Sequence, residues 1–414
     1  MTPAELALLA ILAVVVASFL TRLNVGILAV ALAWPIAIYA AGWKTDELMR
    51  VFPSSLFITL LGVTLLFGMA QANGTIGALT QRMLTLTAGR AGLLPLVFFV
   101  LACAISTFGP GAIATLALLA PLAMAAGAKA GVPALLTALM IGNGANAGNL
   151  SPLSAVGVIV SSAMEKAGLV GYEWNVWAAN FVAHALAGAL AWSLFGGPRL
   201  LRESHTIALD PPTAFTRAHK LTLVVGTVWI LSVVLFKANL GFAAFAAAAV
   251  LVLARTGEDA AMLKEVPWSV LVMVCGVSVL IGVLEGTGGM ELFTDLLARV
   301  ATPASVNGVI AFITGTISTY SSTSGVVYPT FLPTVQGLVD RIGGGSALEV
   351  ALSINVGAGL VDVSPLSTLG AMCIAALPAG QEPAKLFRSL LLWGISMTLV
   401  GAVFCQLFIG FFVW

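Results

Sequence analysis

The sequence predicts an all-α, polytopic membrane protein built from two inverted repeats, and three observations carry that prediction. Of its 414 residues, 60% are apolar and 8% charged, whereas a soluble domain carries about a quarter of its residues as charges. Apolar runs near the length of a bilayer crossing follow one another almost from end to end. The chain is also written twice, which is the signature of repeat architecture.

The second writing is read from matches that stay in order. Asn24-Val25-Gly26 answers Asn239-Leu240-Gly241. Pro53, Gly62, Gly68 and Gly74 pair with Pro267, Gly276, Gly282 and Gly288 at an offset of 214. Ile105-Ser106-Thr107-Phe108 pairs with Ile317-Ser318-Thr319-Tyr320, and Pro121 with Pro333, at 212. Ser151-Pro152-Leu153-Ser154 recurs as Ser364-Pro365-Leu366-Ser367, with Gly157 against Gly370, at 213. The drift in offset corresponds to single-residue indels in loops.

In chain order, the first repeat occupies 1–196. Its scaffold spans (1–90) comprise crossings at 4–21, 24–42 and 54–70 and an amphipathic piece at 72–90. A hairpin at 92–130, a broken span at 133–165 and a last span at 175–196 complete it. A cytoplasmic linker, 197–218, leads to the second repeat, 219–414. There the scaffold takes 219–303, the hairpin 305–341, the broken span 346–378 and the last span 386–412. The hairpins are expected because Ser106–Gly111 and Ser318–Gly325 interrupt apolar segments. The arms of about 13 residues left on either side, at about 1.5 Å per residue, are too short to cross singly. The second interruptions, Gly142–Pro152 and Gly357–Pro365, fall inside one crossing. Each copy then makes five crossings, one discontinuous, plus one re-entrant hairpin, and the odd number starts the second copy from the opposite side. With the N-terminus outside, twelve Lys and Arg fall inside (Arg22, Arg82, Arg90, Lys129, Arg199, Arg202, Arg217, Lys220, Arg255, Lys264, Lys385, Arg388) and six outside. That bias puts both termini on the periplasmic face of a bacterial inner membrane.

Composition also excludes. A net charge of +1 leaves no footprint for nucleic acid. Cys103, Cys275, Cys373 and Cys405 stand singly in apolar segments, so neither a disulfide framework nor a metal cluster is expected. The repeated spans make Met1–Leu20 a first crossing rather than a cleaved leader. No nucleophile–base pair or phosphate-cradling loop is present, and His205 and His219 have no companion at ligand spacing. Neither enzyme chemistry nor a cofactor is expected.

Broken helices at membrane depth free backbone groups that only protein or a wet cavity can satisfy. Breaks at matched positions of two inverted copies point to a binding site near the midplane of a secondary transporter. Half-helix N-termini aim N–H donors at an anion, while unwound carbonyls suit a cation. The loops carry Ser106, Thr107, Asn143, Asn146, Asn149, Ser151 and Ser154 in the first copy. The second offers Ser318, Thr319, Ser321, Ser322, Thr323, Ser324, Asn355, Asp362, Ser364, Ser367 and Thr368. Of 17 Asp and Glu, Asp362 alone falls in a predicted intramembrane segment, opposite the neutral Asn149 of the other copy. A carboxylate there is costly and points to Na⁺ or H⁺ handling; the alternative is an Asp that accepts backbone N–H bonds where a half-helix opens. His184, mid-span, reads as an interhelical hydrogen-bonder, and Glu285, opposite Gln71, as interfacial. A channel is the reading from another class.

The doubled hairpin and broken span, with Ile105-Ser106-Thr107 and Ile317-Ser318-Thr319, resemble the ion transporter superfamily over essentially the whole chain. Gly142-Asn143-Gly144-Ala145-Asn146-Ala147-Gly148-Asn149-Leu150-Ser151-Pro152 and Asp362-Val363-Ser364-Pro365 are similar to its malonate/dicarboxylate carrier branch, and more distantly to the divalent-anion:sodium symporters. The resemblance implies a homodimer in the bilayer whose hairpins and broken spans slide as an elevator against the scaffold. It implies a C3–C4 dicarboxylate substrate such as malonate or succinate, driven by Na⁺ or H⁺. The substrate residues it implies are Ser106, Thr107, Gly111, Asn146, Asn149, Ser151, Ser318, Thr319, Thr323, Ser324, Ser364 and Ser367. The coupling cation would use Thr107, Asn143, Gly144, Thr319, Thr323 and Asp362, with Na⁺ at Thr319, Thr323 and Asp362. The symporters place Ser-Asn-Thr at each hairpin tip, ten residues before a Pro; here the positions hold Gly111-Ala112-Ile113 and Thr323-Ser324-Gly325. The second Na⁺ site is therefore the better kept, and proton coupling through Asp362 is its rival. Other anions, or a membrane subunit of a binding-protein-dependent uptake system, are the alternatives.

Overall fold

In the computed structural model, residues 1–20, 23–84, 90–109, 111–202, 214–319, 322–378 and 380–414 are described. Among them there are helices and turns and no strand. The first half holds α1 (Pro3–Leu20), α2 (Val25–Pro35), α3 (Thr45–Arg50), α4 (Ser54–Ala72) and α5 (Thr75–Leu84). It continues with α6 (Leu94–Thr107), α7 (Ala112–Lys129), α8 (Ala134–Asn149), α9 (Ala155–Lys166), α10 (Glu173–Leu194) and α11 (Gly197–Arg202). The second half opens with α12 (Arg217–Phe236), α13 (Leu240–Leu253), α14 (Asp259–Lys264), α15 (Trp268–Gly286), α16 (Gly289–Ala298) and α17 (Val306–Ser318). After a π turn at Thr323–Val327 come α18 (Tyr328–Phe331), α19 (Val335–Ile342), α20 (Ala347–Leu360), α21 (Thr368–Ala375) and α22 (Pro383–Phe408).

The matched sequence signals start matched helices. Asn24 Oδ1 accepts the Gly26 N–H and Asn239 Oδ1 accepts those of Gly241 and Phe242, capping α2 and α13. Such a cap holds about 0.5–2 kcal/mol against alanine. Pro53 and Pro267 stand directly before α4 and α15, where a missing N–H costs no helical bond. Among the described residues, five helices are long and apolar enough to cross a membrane: Ser54–Ala72, Ala112–Lys129, Glu173–Leu194, Trp268–Gly286 and Pro383–Phe412. Six shorter apolar helices accompany them. Phe236 and Leu253 expose 80% and 82% of their surface, an apolar exterior suited to hydrocarbon.

Inside, α8 from Leu136 onward and α20 from Val350 onward are buried on every face. The helices α6, α7 and α10 wrap α8, and α17 and α22 wrap α20. On the scaffold side the packing partners are exchanged between the halves: α2 lies on α15, and α13 on α4. Backbones touch there, because a Cβ on Gly26 would lie 2.2 Å from the Val272 carbonyl oxygen and one on Gly241 2.5 Å from Thr59 Cα. Small residues permit that approach at membrane depth.

One expectation is corrected. The second arm of the first hairpin, α7, runs 18 residues rather than about 13. Nothing between Ala112 and Lys129 ends it, and Pro121 is accommodated within the helix. The length argument for re-entry therefore holds for α6, at 14 residues, and not for α7. The crossing at 24–42 changes to π geometry over Ile36–Ala40, since Pro35 lacks the N–H that would reach back one turn. The linker starts as helix α11; Pro110, Tyr320, Ser321, His205 and the linker's residues 203–213 lie outside the described residues.

Candidate functional site

Each break is built locally from the same parts. Pro152 and Pro365 sit where α8 and α20 have stopped, and Ser154 and Ser367 stand at the N-caps of α9 and α21. Ser154 Oγ accepts the Gly157 N–H at 2.9 Å and donates to the Asn149 carbonyl. Ser367 Oγ donates back to the carbonyls of Asp362 and Ser364. Both hydroxyls are thus spent on holding their loops. A Cβ on Gly157 would stand 1.9 Å from the Ser151 carbonyl oxygen, and one on Gly370 2.1 Å from that of Ser364. Each loop folds flat against the helix that follows it.

The hairpin tips meet these breaks. Asn149 Oδ1 accepts the Ala112 N–H at 2.8 Å, at the first residue of α7. Gly111, at φ 88°, makes the turn before it in a conformation open to glycine. In the second half Asp362 stands where Asn149 stands, and its Oδ1 lies 3.0 Å from Thr323 Oγ1. Thr323 Oγ1 is in turn 2.6 Å from Ser318 Oγ, which donates to the Ala358 carbonyl at 2.9 Å. Asn149, the last residue of α8, and Asp362, two residues past the end of α20, therefore each bond the hairpin tip of their own half. One acceptor is an amide, the other a carboxyl.

Both contacts border one cavity of about 280 Å³. Its walls include Asn149, Thr323, Ser324, Asp362, Ser367 and Thr368, together with Asn24, Ser269 and Met273 from the scaffold. Val25, Ala112 and Thr368, the first residues of α2, α7 and α21, all line it, so three helix N-termini converge on one space. Asp362 is the one ionisable side chain among the described residues of its wall. A second cavity of about 330 Å³ adjoins it, sharing Ile113, Val156 and Ser324.

Other expected residues are placed elsewhere. Thr319 turns its hydroxyl back to the Gly315 carbonyl at 3.0 Å, so Ser318 rather than Thr319 joins Thr323 and Asp362. Ser106 is buried with no hydrogen-bond partner for Oγ among the described residues. Thr107 lies under Gly148, and Gly144 packs against the backbone of Phe99. Ser151 and Ser364 take the N–H groups of Leu153 and Leu366. Asn143 bonds His184 Nδ1 at 3.0 Å, and Asn146 accepts from Asn180 and reaches the Gly359 carbonyl. These groups brace α8, α10 and α20 behind the cavity, and His184 is the interhelical hydrogen-bonder expected. Glu285 pairs with Lys166 at 3.5 Å, both about two-fifths exposed. The sequence reading missed Ser269 and Met273 as cavity residues. It had marked Asn24 only as a repeat signal, although a capping Asn that also donates to the Ser269 carbonyl at 2.8 Å ties α2 to α15 at the cavity edge.

Comparison with known proteins agrees with this architecture. Residues 1–149 match the family described as the N-terminus of the dicarboxylate carrier protein MatC. The YdaH transporter of Alcanivorax borkumensis has a similar fold, with a TM-score of 0.60 at 15% identity over 88% of this chain and 87% of that one. So does MtrF of Neisseria gonorrhoeae, described as illuminating a class of antimetabolite efflux pumps, with a TM-score of 0.55 at 14% identity over 98% and 94%. No curated protein matches the sequence. The matched family and both structures are transport proteins, not enzymes. The fold is that of a multi-pass membrane protein.

Proposed function

We propose that this chain is a secondary active transporter that carries a C3–C4 dicarboxylate, such as malonate or succinate, together with a coupling cation. The observation that carries the reading is the single cavity on which three helix N-termini, two hairpin tips and two broken helices converge. Its roughly 280 Å³ falls just below the range of about 300–1,000 Å³ that suits drug-sized ligands, as a smaller solute requires. N-terminal dipoles and the Asn149 amide nitrogen, freed because its oxygen is held by Ala112, supply donors to carboxylates. The dicarboxylate class comes from the family match over residues 1–149.

Electrostatics requires a companion charge. No Lys or Arg lines the cavity among the described residues, and Asp362 does. Two like charges 4 Å apart repel by about 4 kcal/mol at an effective dielectric constant near 20. A dianion beside an ionised Asp362 would forfeit its binding unless Na⁺ or H⁺ entered with it. Cotransport is thus built into the wall of the site.

The proposal extends to the architecture. Exchanged partners of α2 and α13 support two repeats related by a twofold in the membrane plane, the inverted arrangement of many carriers. Five wall positions of the 330 Å³ cavity (Thr64, Phe67, Ala117, Pro267, Val270) have repeat equivalents (Ser278, Ile281, Pro329, Pro53, Leu56) around a void of about 30 Å³. We read the larger as the open vestibule and the smaller as its closed counterpart, the asymmetry that alternating access requires. We place the open one on the cytoplasmic side of a bacterial inner membrane, with periplasmic termini, and carry over the homodimer and elevator motion that the resemblance implies. Competition in counterflow tests the substrate class: unlabelled malonate and succinate should displace labelled malonate, with acetate, citrate and sulfate far weaker. Displacement by citrate or sulfate at equal concentration would replace the dicarboxylate reading.

A further inference from the structure

We propose that a third cavity, apart from the site above, binds one acyl chain of an anionic phospholipid whose head group meets Arg82, Arg217 and Lys220. The proposal rests on the chain being a membrane protein and on no particular substrate. The cavity, of about 280 Å³, lies between α4, α5, α6 and α12, and its walls include Leu66, Phe67, Leu79, Leu101, Phe108 and Ile230. Phe67, Ile76 and Ile105 also line the 330 Å³ cavity, so apolar side chains part this space from the vestibule.

The chemistry of the walls selects hydrocarbon. No ionisable side chain lines the cavity among the described residues. Its polar side chains are engaged with protein. Thr227 donates to the Leu223 carbonyl at 2.8 Å, Thr75 donates to Asn73 Oδ1 at 2.6 Å, and Thr222 Oγ1 accepts from Asn73 Nδ2 at 2.8 Å. Trp229 Nε1 donates to the Leu240 carbonyl. A buried water needs two to four polar partners, which this space does not offer, and a carboxylate would fare worse. An empty space would leave its lining without van der Waals contact on one side. Ala104, Phe108 and Thr227 are exposed at its edge, and Val224 and Val228 carry the apolar surface outward along α12. From Thr222 to Ile230 the wall runs eight residues along α12, which is about 12 Å of helix against the roughly 15 Å of one leaflet. An acyl chain lying along α12 matches that length.

Charge marks one end. Lys220 stands two residues before Thr222 on α12, and Arg82 three residues after Leu79 on α5. The Arg82 guanidinium lies 4.3 Å from the centroid of the Phe215 ring, two residues before Arg217. The three cations therefore gather where α5 ends and α12 begins, all exposed. Neither α5 nor α12 carries an Asp or Glu. Basic residues at a membrane surface attract anionic head groups.

The other half shows the same space plugged. Ile11 of α1 and Gly226 of α12 each stand thirteen residues before the matched Asn24 and Asn239. Ile11 is buried in one cluster with Leu280 and Leu284, the repeat mates of Leu66 and Ala70. Gly226 has nothing within 4 Å of an added Cβ. One half brings its own side chain to the gap, and the other leaves it to the bilayer.

The test is native mass spectrometry of the purified full chain with three lipids: dioleoyl phosphatidylglycerol, dioleoyl phosphatidylethanolamine, and dihexanoyl phosphatidylglycerol, which has the head group without the long chains. The wild type should retain one dioleoyl phosphatidylglycerol, hold the phosphatidylethanolamine less tightly, and not retain the dihexanoyl lipid. Lys220→Gln should weaken phosphatidylglycerol by roughly fivefold and leave phosphatidylethanolamine unchanged. Gly226→Leu should lose the retained lipid whichever its head group. Ala104→Leu fills the cavity from α6 and covers the case in which Gly226→Leu misfolds. Equal retention by the wild type and the filled variants, or equal binding of the dihexanoyl lipid, overturns the proposal. So does a dimer that holds no lipid and parts on Gly226→Leu, which would seat a second copy in the cavity. Retention is read without transport, so this result and the dicarboxylate reading stand or fall separately.

Discussion

The Gly370→Ala variant is expected to lose uptake almost completely and to unfold at a lower temperature than the wild type in detergent, and Gly157→Ala is expected to follow it. Both positions lie one turn inside the half-helix that follows a break, flat against the loop. An alanine Cβ would fall 2.1 Å from the Ser364 carbonyl oxygen in one case and 1.9 Å from the Ser151 carbonyl oxygen in the other. The atom struck is backbone, so no side chain can swing away. Relief requires moving the loop that carries Asp362 and Ser367, or Asn149 and Ser154, out of hydrogen-bond reach of the hairpin tip. Overpacking costs about 1–3 kcal/mol and sometimes more, and here the displaced segment is the wall of the cavity. The control is Gly77→Ala, at a helical position with nothing within 4 Å of the added Cβ, which should keep its uptake. Near-normal uptake by Gly370→Ala would mean that the second loop does not form the site.

Gly26→Ala and Gly241→Ala are expected to lower the unfolding temperature by similar amounts, because they are equivalent positions of a scaffold with exchanged partners. Gly26 meets the backbone of Val272 and Gly241 that of Thr59. Gly276 and Gly62 face them from the other side, each within 2.4 Å of a glycine carbonyl oxygen if given a Cβ. At these crossings backbone lies on backbone, and separating them by a methyl group breaks van der Waals contact along α2–α15 and α13–α4, where packing rather than hydrophobic burial holds helices together. The measurement is the thermal midpoint of each variant in the same detergent. A large loss from one and none from the other would contradict the twofold relation of the halves.

Much of this architecture was legible because the residues that interrupt an apolar run are few and chemically distinct. Pro53, Pro267, Asn24 and Asn239 were legible as matched repeat positions, and the structure stands them at the starts of α4, α15, α2 and α13. Asp362 stood out because a carboxylate in an apolar segment demands a partner, and Thr323 is that partner. What periodicity could not show is direction. Ser318 and Thr319 are adjacent and alike in sequence, yet one hydroxyl points to Thr323 and the other returns to its own helix. Ser154 and Ser367 have the chemistry of ligands and serve their loops, since a hydroxyl at a helix start finds backbone before it finds solute. The second arm of the first hairpin was read as about 13 residues and is 18, because neighbouring helices at membrane depth support the turn around Pro121. Ser269 and Met273 carried no signal, being ordinary residues on a span that only the exchanged packing brings to the cavity.

The central claim is that this chain alone moves a small dicarboxylate against its gradient. The direct measurement is uptake of labelled malonate and succinate into proteoliposomes containing only this protein, with an imposed inside-alkaline pH gradient, an inward Na⁺ gradient, or neither. Accumulation above equilibrium with the pH gradient or with the Na⁺ gradient, and none without a gradient, is the result expected. No uptake of either acid by protein shown to be folded would contradict the account and turn attention to a carrier that works only with a binding partner.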